Sequence, residues 1–245
     1  MIEVANAKYR KRRVQVMDKR RTHGKRYAKD FLEAVSWLGA FGVWTGAVTQ
    51  IDVRPIGQLG SEIGFASLNE MFHRLTGVNW FLYHLTDWLS VIPLGVVMCF
   101  GILGLIQWIR RKRLRLVDGD LLLLGGFYLI VMLAYLLFEV WTVNYRPVLI
   151  NGFLEPSYPS STTMLVICVM STVAMQLRIR IKNKRVACWG QVMAFLFSVF
   201  MVVGRALSGV HWITDIVGGV LLSVGLVRLY AAINKSVILR QSINL

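Results

Sequence analysis

Cysteine and acidic residues are scarce in this 245-residue sequence. Its three cysteines, Cys99, Cys168 and Cys188, lie in or at the end of apolar runs and form neither a metal-binding spacing nor a disulfide framework. We therefore expect them to be packing residues. Only 13 acidic residues oppose 28 lysines and arginines, which leaves a net charge of +15. That charge would suit a nucleic-acid-binding protein, but its distribution along the chain argues against this function.

Charged residues are missing from long stretches of the chain. Five runs without charge cover 34–51, 88–109, 121–138, 156–177 and 186–204, and a sixth run, 216–234, contains only Arg228. A membrane-spanning helix needs about 20 mostly apolar residues. We therefore predict an all-α, integral membrane six-helix bundle that fills residues 31–233. Its spans are expected near 31–50, 87–109, 120–141, 162–178, 187–205 and 210–233. The first span is expected to remain uncleaved.

The basic residues form four clusters that alternate with the predicted spans. Twenty-four of the 28 lie in 8–29, 110–115, 178–185 and 228–240. With six spans, these clusters fall at the N-terminus, the second loop, the fourth loop and the C-terminus, which all face one side. Since basic loops stay in the cytoplasm, we expect both termini there. Residues 1–30 would form a basic cytoplasmic arm and 234–245 a cytoplasmic tail of a multi-pass plasma membrane protein.

Residues 51–83 form the longest predicted external segment. Leu68, Met71, Phe72 and Leu75 follow the spacing i, i+3, i+4, i+7, which predicts a short amphipathic helix at the outer interface. Two roles remain open for this segment. It is either a lid that packs on the bundle without touching substrate, or a route of entry for lipid.

Three polar islands lie at the ends of predicted spans. The first, Arg146-Pro147, ends the third span; the second, 159–162, opens the fourth; and the third, 204–215, joins the fifth to the sixth. With both termini inside, all three islands lie at the external membrane surface. That surface has only four basic residues, and two of them, Arg146 and Arg205, belong to the islands. Positive charge is therefore retained where the topology otherwise excludes it.

The two arginines of the islands and the second island together have the composition of an oxyanion site. Arg146 and Arg205 carry guanidinium forks that match phosphate oxygens. Ser160, Ser161 and Thr162 place hydroxyls and free backbone N–H groups at a helix start, where anions bind well. Helix capping alone is the simpler explanation for these three residues.

The third island supplies a candidate nucleophile. His211 and Asp215 are four residues apart, which stacks them on one helix face. His211 is a nucleophile or base, and Asp215 can hold its tautomer and stabilise the imidazolium. The alternative is an interfacial hydrogen-bonded pair with a packing role. No carboxylate cluster suggests a metal site, so we expect phosphoryl transfer without a metal or other cofactor.

The islands resemble the three-part signature of the type 2 phosphatidic acid phosphatase superfamily, a family of integral membrane lipid-phosphate phosphatases. That signature reads Lys-x6-Arg-Pro, Pro-Ser-Gly-His and Ser-Arg-x5-His-x3-Asp. The chain reads Glu139-x6-Arg146-Pro147, Pro159-Ser160-Ser161-Thr162 and Gly204-Arg205-x5-His211-x3-Asp215. The resemblance implies a six-helix fold and lipid phosphate or diphosphate substrates. It also implies that His211 forms a phosphohistidine with Asp215 as its partner, and that Arg146, Arg205 and Ser160 bind phosphate.

Three residues depart from that signature: Glu139 replaces its lysine, Thr162 its second-motif histidine and Gly204 its serine. The family uses that histidine to protonate the leaving group, which threonine cannot do near neutral pH. Losing a general acid typically costs about 10²–10⁴-fold in rate. A lipid diphosphate expels a phosphate monoester, which needs less protonation than the alkoxide expelled from phosphatidic acid. We therefore expect a preference for a polyprenyl diphosphate. Glu139 either pairs with Arg146, lies exposed at the interface or replaces the proton donor, and Tyr158 is a second candidate modulator.

Three functions remain open on the sequence alone. The first is a lipid phosphate or diphosphate phosphatase that acts at the extracytoplasmic face and whose partners are its lipid substrate and the bilayer. The second is a relative that binds lipid phosphates without turnover, as a sensor or partner subunit. The third is a lipid or anion transporter. The His211–Asp215 pair favours the first, since a binder needs no such pair. The islands lie at span ends, whereas a transporter places its site near the midplane.

Overall fold

The computed structural model describes the backbone of residues 27–243 and the side chains of residues 27–236. Its α-helices are α1 Tyr27–Val48, α2 Ala66–Thr76, α3 Trp80–Leu89, α4 Val91–Arg111, α5 Gly119–Val140, α6 Ser161–Arg180, α7 Lys184–Leu207 and α8 Ile213–Ile243. Short 3-10 helices at Gln58–Gly60 and Leu114–Leu116 precede α2 and α5. The predicted basic arm lies outside the described residues, apart from its last four positions, which belong to α1.

Long apolar runs give the chain six helices that are long and apolar enough to cross a membrane. Helices α1, α5, α6, α7 and α8 each provide one, and α3 together with α4 provides the sixth, Trp80–Arg111. No β-strand is found between residues 27 and 243. The predicted all-α, six-span architecture is confirmed, and the protein is a multi-pass membrane protein.

Helix α6 lies at the centre of the bundle. It packs along both α7 and α8, and half of the membrane segment of α6 and of α8 is buried. Small residues allow the helices to approach closely. A side chain at Gly225 of α8, for example, would meet Leu38 of α1 at 2.7 Å. The second and third islands therefore open the two helices that are best packed.

Paired polar side chains mark the end of the bundle that carries the basic loops. Arg180, the last residue of α6, donates hydrogen bonds to Asp120 at 2.6 Å and to Gln176 at 2.8 Å. Arg111, the last residue of α4, forms an ion pair of 2.9 Å with Asp118. The polar islands lie at the opposite end, where α6 and α8 begin. This separation agrees with the charge pattern of the sequence, although the side of the membrane on which each end lies stays a prediction.

The second span begins earlier than the sequence predicts. It starts at Trp80, seven residues before Asp87, and Ser90 is the cap residue that α3 and α4 share. His84 and Asp87 make this stretch look polar. Asp87, however, forms an ion pair with Arg205 of α7 at 3.3 Å. That pairing offsets much of the cost of placing a carboxylate there.

Helix α2 coincides with the predicted amphipathic stretch, but the stripe does not pack on the bundle. Three of its residues, Leu68, Met71 and Leu75, are exposed, while Ala66 and Asn69 are buried on another face. The buried face is the one that contacts α8. The polar Asn69 is therefore the anchor of α2, and the apolar stripe is left at the outer surface.

Candidate active site

His211 lies in the loop between α7 and α8 with its side chain buried. Its Nδ1 is 3.1 Å from the carbonyl oxygen of Ser157, and its Nε2 is 3.1 Å from Nη1 of Arg146. Because a carbonyl oxygen can only accept, Nδ1 carries the proton and donates it. Nε2 then accepts from the Arg146 guanidinium. The imidazole is thereby held in the tautomer whose Nε2 lone pair can act as a nucleophile.

The surroundings of His211 also keep its ring neutral. Burial holds the pKa of His211 well below its ordinary value of 6.5, and the positive charges of Arg146 and Arg205 lower it further. The hydrogen bond to Ser157 opposes this shift without reversing it. A neutral ring is what nucleophilic attack requires, since the imidazolium has no lone pair on Nε2.

Asp215 is buried in the first turn of α8 and fixes the backbone of the third island. One carboxylate oxygen accepts from the Asn144 amide at 3.0 Å, and the other accepts from the backbone N–H of Trp212 at 3.0 Å. The second oxygen lies 3.8 Å from Nδ1 of His211, which is too long for a hydrogen bond. The tautomer-holding bond predicted for Asp215 is therefore made by the carbonyl of Ser157. Asp215 instead holds the loop that carries His211 through its bonds to Asn144 and the Trp212 N–H.

Arg146 links the imidazole to a carboxylate. Its Nε is 3.1 Å from Oε2 of Glu155, and its backbone N–H donates to the Glu155 carbonyl at 3.0 Å. The same loop closes where the N–H of Ser157 donates to the carbonyl of Asn144 at 2.9 Å. One guanidinium thus contacts Glu155 through Nε and His211 through Nη1. A phosphate oxygen that binds this arginine would lie close to both partners.

The Arg205 side chain does not point toward the space between Arg146 and His211. Its guanidinium is buried and donates to the carbonyl of Tyr83 at 3.2 Å, to Oγ1 of Thr86 at 3.1 Å and to Asp87 at 3.3 Å. It also lies over the Tyr83 ring, 4.9 Å from its centroid. The sequence led us to expect two arginines around one phosphate. In this structure Arg146 faces the cavity, and Arg205 is turned toward α3 and influences His211 through its charge.

A polar cavity of about 250 Å³ opens beside His211. Its walls come from the end of α5, the loop before α6 and the first turns of α6. They consist of Tyr135, Phe138, Glu139, Arg146, Glu155, Pro156, Ser157, Tyr158, Pro159, Ser161, Met164 and His211. The cavity has room for a phosphate group and the atoms next to it. It is the site on which the first two islands and the nucleophile converge.

The three hydroxyl residues of the second island have different positions. Ser160 is buried, and its side chain caps α6 by accepting from the N–H of Thr163 at 3.5 Å. Ser161 lines the polar cavity. Thr162 lines instead a neighbouring apolar cavity of about 380 Å³ between α4, α5 and α6. Ser161 and Met164 line both cavities, so the two adjoin.

Both candidate modulators line the polar cavity, but they differ in their surroundings. Glu139 is exposed and forms no ion pair within 4.0 Å in the part of the chain that the structure describes. Tyr158 is buried, and its hydroxyl is 2.7 Å from Oγ1 of Thr45. Burial raises the pKa of Tyr158 far above its ordinary value. Its ring also lies against Gly218, where a Cβ atom would come within 2.6 Å. Tyr158 therefore forms a rigid wall of the site.

The described residues contain no group of three or more histidine, cysteine, aspartate or glutamate side chains that could hold a metal ion. The three cysteines are free thiols, and Cys168 packs in the core.

Comparison with known families identifies this arrangement. Residues 124–237 match the family model of the PAP2 superfamily, and the matched segment contains all three islands. The resemblance to the PAP2 superfamily expected from the sequence is therefore confirmed over residues 124–237. No curated protein sequence matches it. A solved structure, described as the first transmembrane PAP2 type phosphatidylglycerolphosphate phosphatase from Bacillus subtilis, has a similar fold, with a TM-score of 0.58 and 19% sequence identity. The match covers 81% of this chain and 93% of that one.

The packing around Gly204 explains why glycine replaces the serine of the third PAP2 motif. A Cβ atom at Gly204 would lie 2.9 Å from Cγ2 of Thr86, closer than side-chain carbons normally approach. The methyl group of Thr86 in α3 can therefore approach α7 this closely because residue 204 has no side chain. The close approach places Thr86 and Asp87 within reach of Arg205.

Residues outside the PAP2 signature complete this site, and sequence reasoning missed them. Asn69 of α2 donates to Oγ1 of Thr214 at 3.0 Å and accepts from the Thr214 N–H at 3.3 Å. The N–H of Asn79 donates to the carbonyl of Ser208 at 3.0 Å. Gly209, with φ of +67°, packs against Gly77. Together with Thr86 and Asp87, the segment from α2 to α3 supports the third island along its length.

The sequence did contain one signal for this support. Asn69 shares a helix face with the apolar residues Ala66 and Phe72, and buried polar groups need hydrogen-bond partners. By contrast, no sequence pattern marks the backbone carbonyl of Ser157. Glu155 was overlooked because no family motif includes it.

Proposed function

We propose that this PAP2 protein is a membrane phosphatase that removes phosphate from lipid phosphates or diphosphates through a phosphohistidine on His211. The observation that carries the proposal is the geometry at Nε2 of His211. His211 lines a phosphate-sized cavity, and its Nε2 accepts a hydrogen bond from the Arg146 guanidinium at 3.1 Å. An anion held by Arg146 would be next to the nucleophile, which is the positioning that phosphoryl transfer depends on.

The first half of the reaction uses groups already in place. An incoming phosphate takes over the Arg146 N–H groups, including the one now donated to Nε2. The freed Nε2 lone pair forms a bond to phosphorus, while the bond from phosphorus to the leaving oxygen breaks. The Nδ1–H group keeps its hydrogen bond to the Ser157 carbonyl, and this bond stabilises the positive charge that develops on the ring.

The nature of the leaving group follows from Thr162. Its side chain lines the apolar cavity and not the phosphate cavity, so it cannot deliver a proton to the leaving oxygen. A good leaving group is therefore favoured, and we propose a diphosphate such as a polyprenyl diphosphate. The adjoining apolar cavity suits the first part of a lipid chain. The charge pattern of the loops supports an active site at the extracytoplasmic face of the plasma membrane.

Phosphate release by purified protein tests the proposal. The panel contains phosphatidic acid, phosphatidylglycerolphosphate and farnesyl diphosphate in detergent micelles. We expect hydrolysis of at least one of them, fastest for the diphosphate, and complete loss of release in His211→Ala. His84→Ala is the matched control, because His84 is exposed on α3 and does not line the cavity.

Two results would contradict the proposal in different ways. Release that persists in His211→Ala would rule out a phosphohistidine on this residue. Binding of the panel lipids without release by the wild-type protein would instead favour a sensor or partner subunit. Faster release from phosphatidic acid than from farnesyl diphosphate would refute only the proposed substrate preference.

A further inference from the structure

A phosphohistidine intermediate creates a second chemical requirement. Water must attack the phosphorus to regenerate His211, and a base must remove a proton from that water. Thr162 does not line the phosphate cavity, and a hydroxyl is not a base at neutral pH. Asp215 does not line it either, and both of its carboxylate oxygens are already bonded. This inference rests on the proposed function and concerns the base that assists hydrolysis of the phosphohistidine.

Four titratable side chains line the cavity besides His211 and Arg146: Tyr135, Glu139, Glu155 and Tyr158. The two phenols carry their protons at neutral pH. This leaves the two carboxylates as bases. Glu155 is tied to the phosphate-binding arginine at 3.1 Å, whereas Glu139 forms no such ion pair among the described residues.

We propose that Glu155 is the general base that activates water for hydrolysis of the phosphohistidine. Its Oε2 lies 3.1 Å from Nε of Arg146, yet the Nε–H has no hydrogen-bond partner among the described residues, so a phosphate oxygen could bind this donor beside the carboxylate. A bound phosphoryl group draws the guanidinium to itself and releases the carboxylate. Glu155 then remains beside the phosphoryl group. It contacts Nε of the Arg146 guanidinium, whereas His211 contacts Nη1 of the same guanidinium.

The step balances with the groups in the cavity. The oxygen of a water molecule forms a bond to phosphorus, and its proton passes to Glu155. The bond between phosphorus and Nε2 breaks, and its electron pair returns to Nε2. His211 leaves as a neutral imidazole because Nδ1 keeps the proton that it donates to Ser157. Phosphate departs, Glu155 loses its proton to solvent and pairs again with Arg146.

Rapid-mixing kinetics with Glu155→Gln test this role. The substrate is farnesyl diphosphate radiolabelled on its terminal phosphate. We expect the variant to release the leaving group in a burst close to one per protein molecule. We then expect a steady rate about 10²–10⁴-fold below wild type, as for loss of a general base. The label should remain on the protein in an acid-labile, base-stable form that His211→Ala lacks.

Glu139→Gln is the matched control, since it changes a second carboxylate in the same cavity to the same amide. It should neither accumulate labelled protein nor show a burst. If Glu155→Gln loses the first turnover along with the rest, or hydrolyses substrate without accumulating label, Glu155 is not the base. If the wild-type protein neither turns over nor becomes labelled, the proposed function itself fails. Glu155→Asp keeps a carboxylate at this position and should recover part of the steady rate, which keeps the test decisive if Glu155→Gln fails to fold.

Discussion

The contact between α3 and α7 can be tested by adding a single carbon atom. In Gly204→Ala, the new Cβ would lie 2.9 Å from Cγ2 of Thr86, so the Thr86 side chain or one of the two helices must move. Overpacking of this kind costs about 1–3 kcal/mol. Replacing a helical glycine by alanine returns about 0.5–1 kcal/mol. We therefore expect a net loss of up to about 2.5 kcal/mol and a corresponding fall in Tm.

The second substitution, Thr86→Ser, makes the test specific. It removes the methyl group that the new Cβ meets, yet keeps the hydroxyl that accepts from Arg205 at 3.1 Å. The double variant should recover most of the lost stability, so the two changes should be coupled and not additive. Gly101→Ala on α4 is the control, because nothing lies within 4 Å of a Cβ at that position. The measurement is the Tm in detergent of these four variants and of the wild-type protein.

Two outcomes would refute this reasoning. If Gly204→Ala is as stable as Gly101→Ala, α3 does not pack on α7 as closely as described. If Thr86→Ser fails to restore stability to Gly204→Ala, the destabilisation has another origin.

Three further predictions concern the charged groups around the site. Arg146→Lys should raise KM about 10–100-fold, because it loses a charge-assisted hydrogen bond to phosphate worth about 1.5–3 kcal/mol, as steady-state kinetics would show. Arg205→Lys should lower kcat with little change in KM, since Arg205 does not line the cavity; an equal rise in KM in both variants would contradict this division. Relative to the His211→Gln variant, the wild-type protein should lose free energy of unfolding as the pH drops below about 6.5. The reason is that the folded pKa of His211 is lowered, so the unfolded chain gains a proton that the folded protein does not accept. The slope is at most about 1.4 kcal/mol per pH unit for this proton, and denaturation of His211→Gln should lack it.

The fold could largely be predicted because lipid imposes one simple constraint. Charge-free runs of about 20 residues indicate spans wherever they occur. The second span was the exception, since Asp87 and His84 interrupt its hydropathy. The compensating cation, Arg205, lies 118 positions from Asp87 in the chain. Hydropathy is a local property and cannot register such a distant partner.

The site was predictable to the extent that side chains alone define it. Motif spacing brought together His211, Arg146 and Ser161, and the structure places all three on one cavity. The direction of Arg205 was not predictable, because an arginine side chain can reach several acceptors from one backbone position. The hydrogen bond from Nδ1 of His211 was not predictable either. It ends on the backbone carbonyl of Ser157, which every residue type possesses.

The support that α2 and α3 give to the third island has a consequence for how this protein is divided into units. The recognisable family segment begins at residue 124, whereas Asn69 and Asp87 lie well before it. A chain cut down to 124–237 would keep every motif but leave the buried Arg205 charge without its carboxylate. It would also leave Thr214 without its amide partner. The segment that the family shares is therefore shorter than the segment that holds the site together.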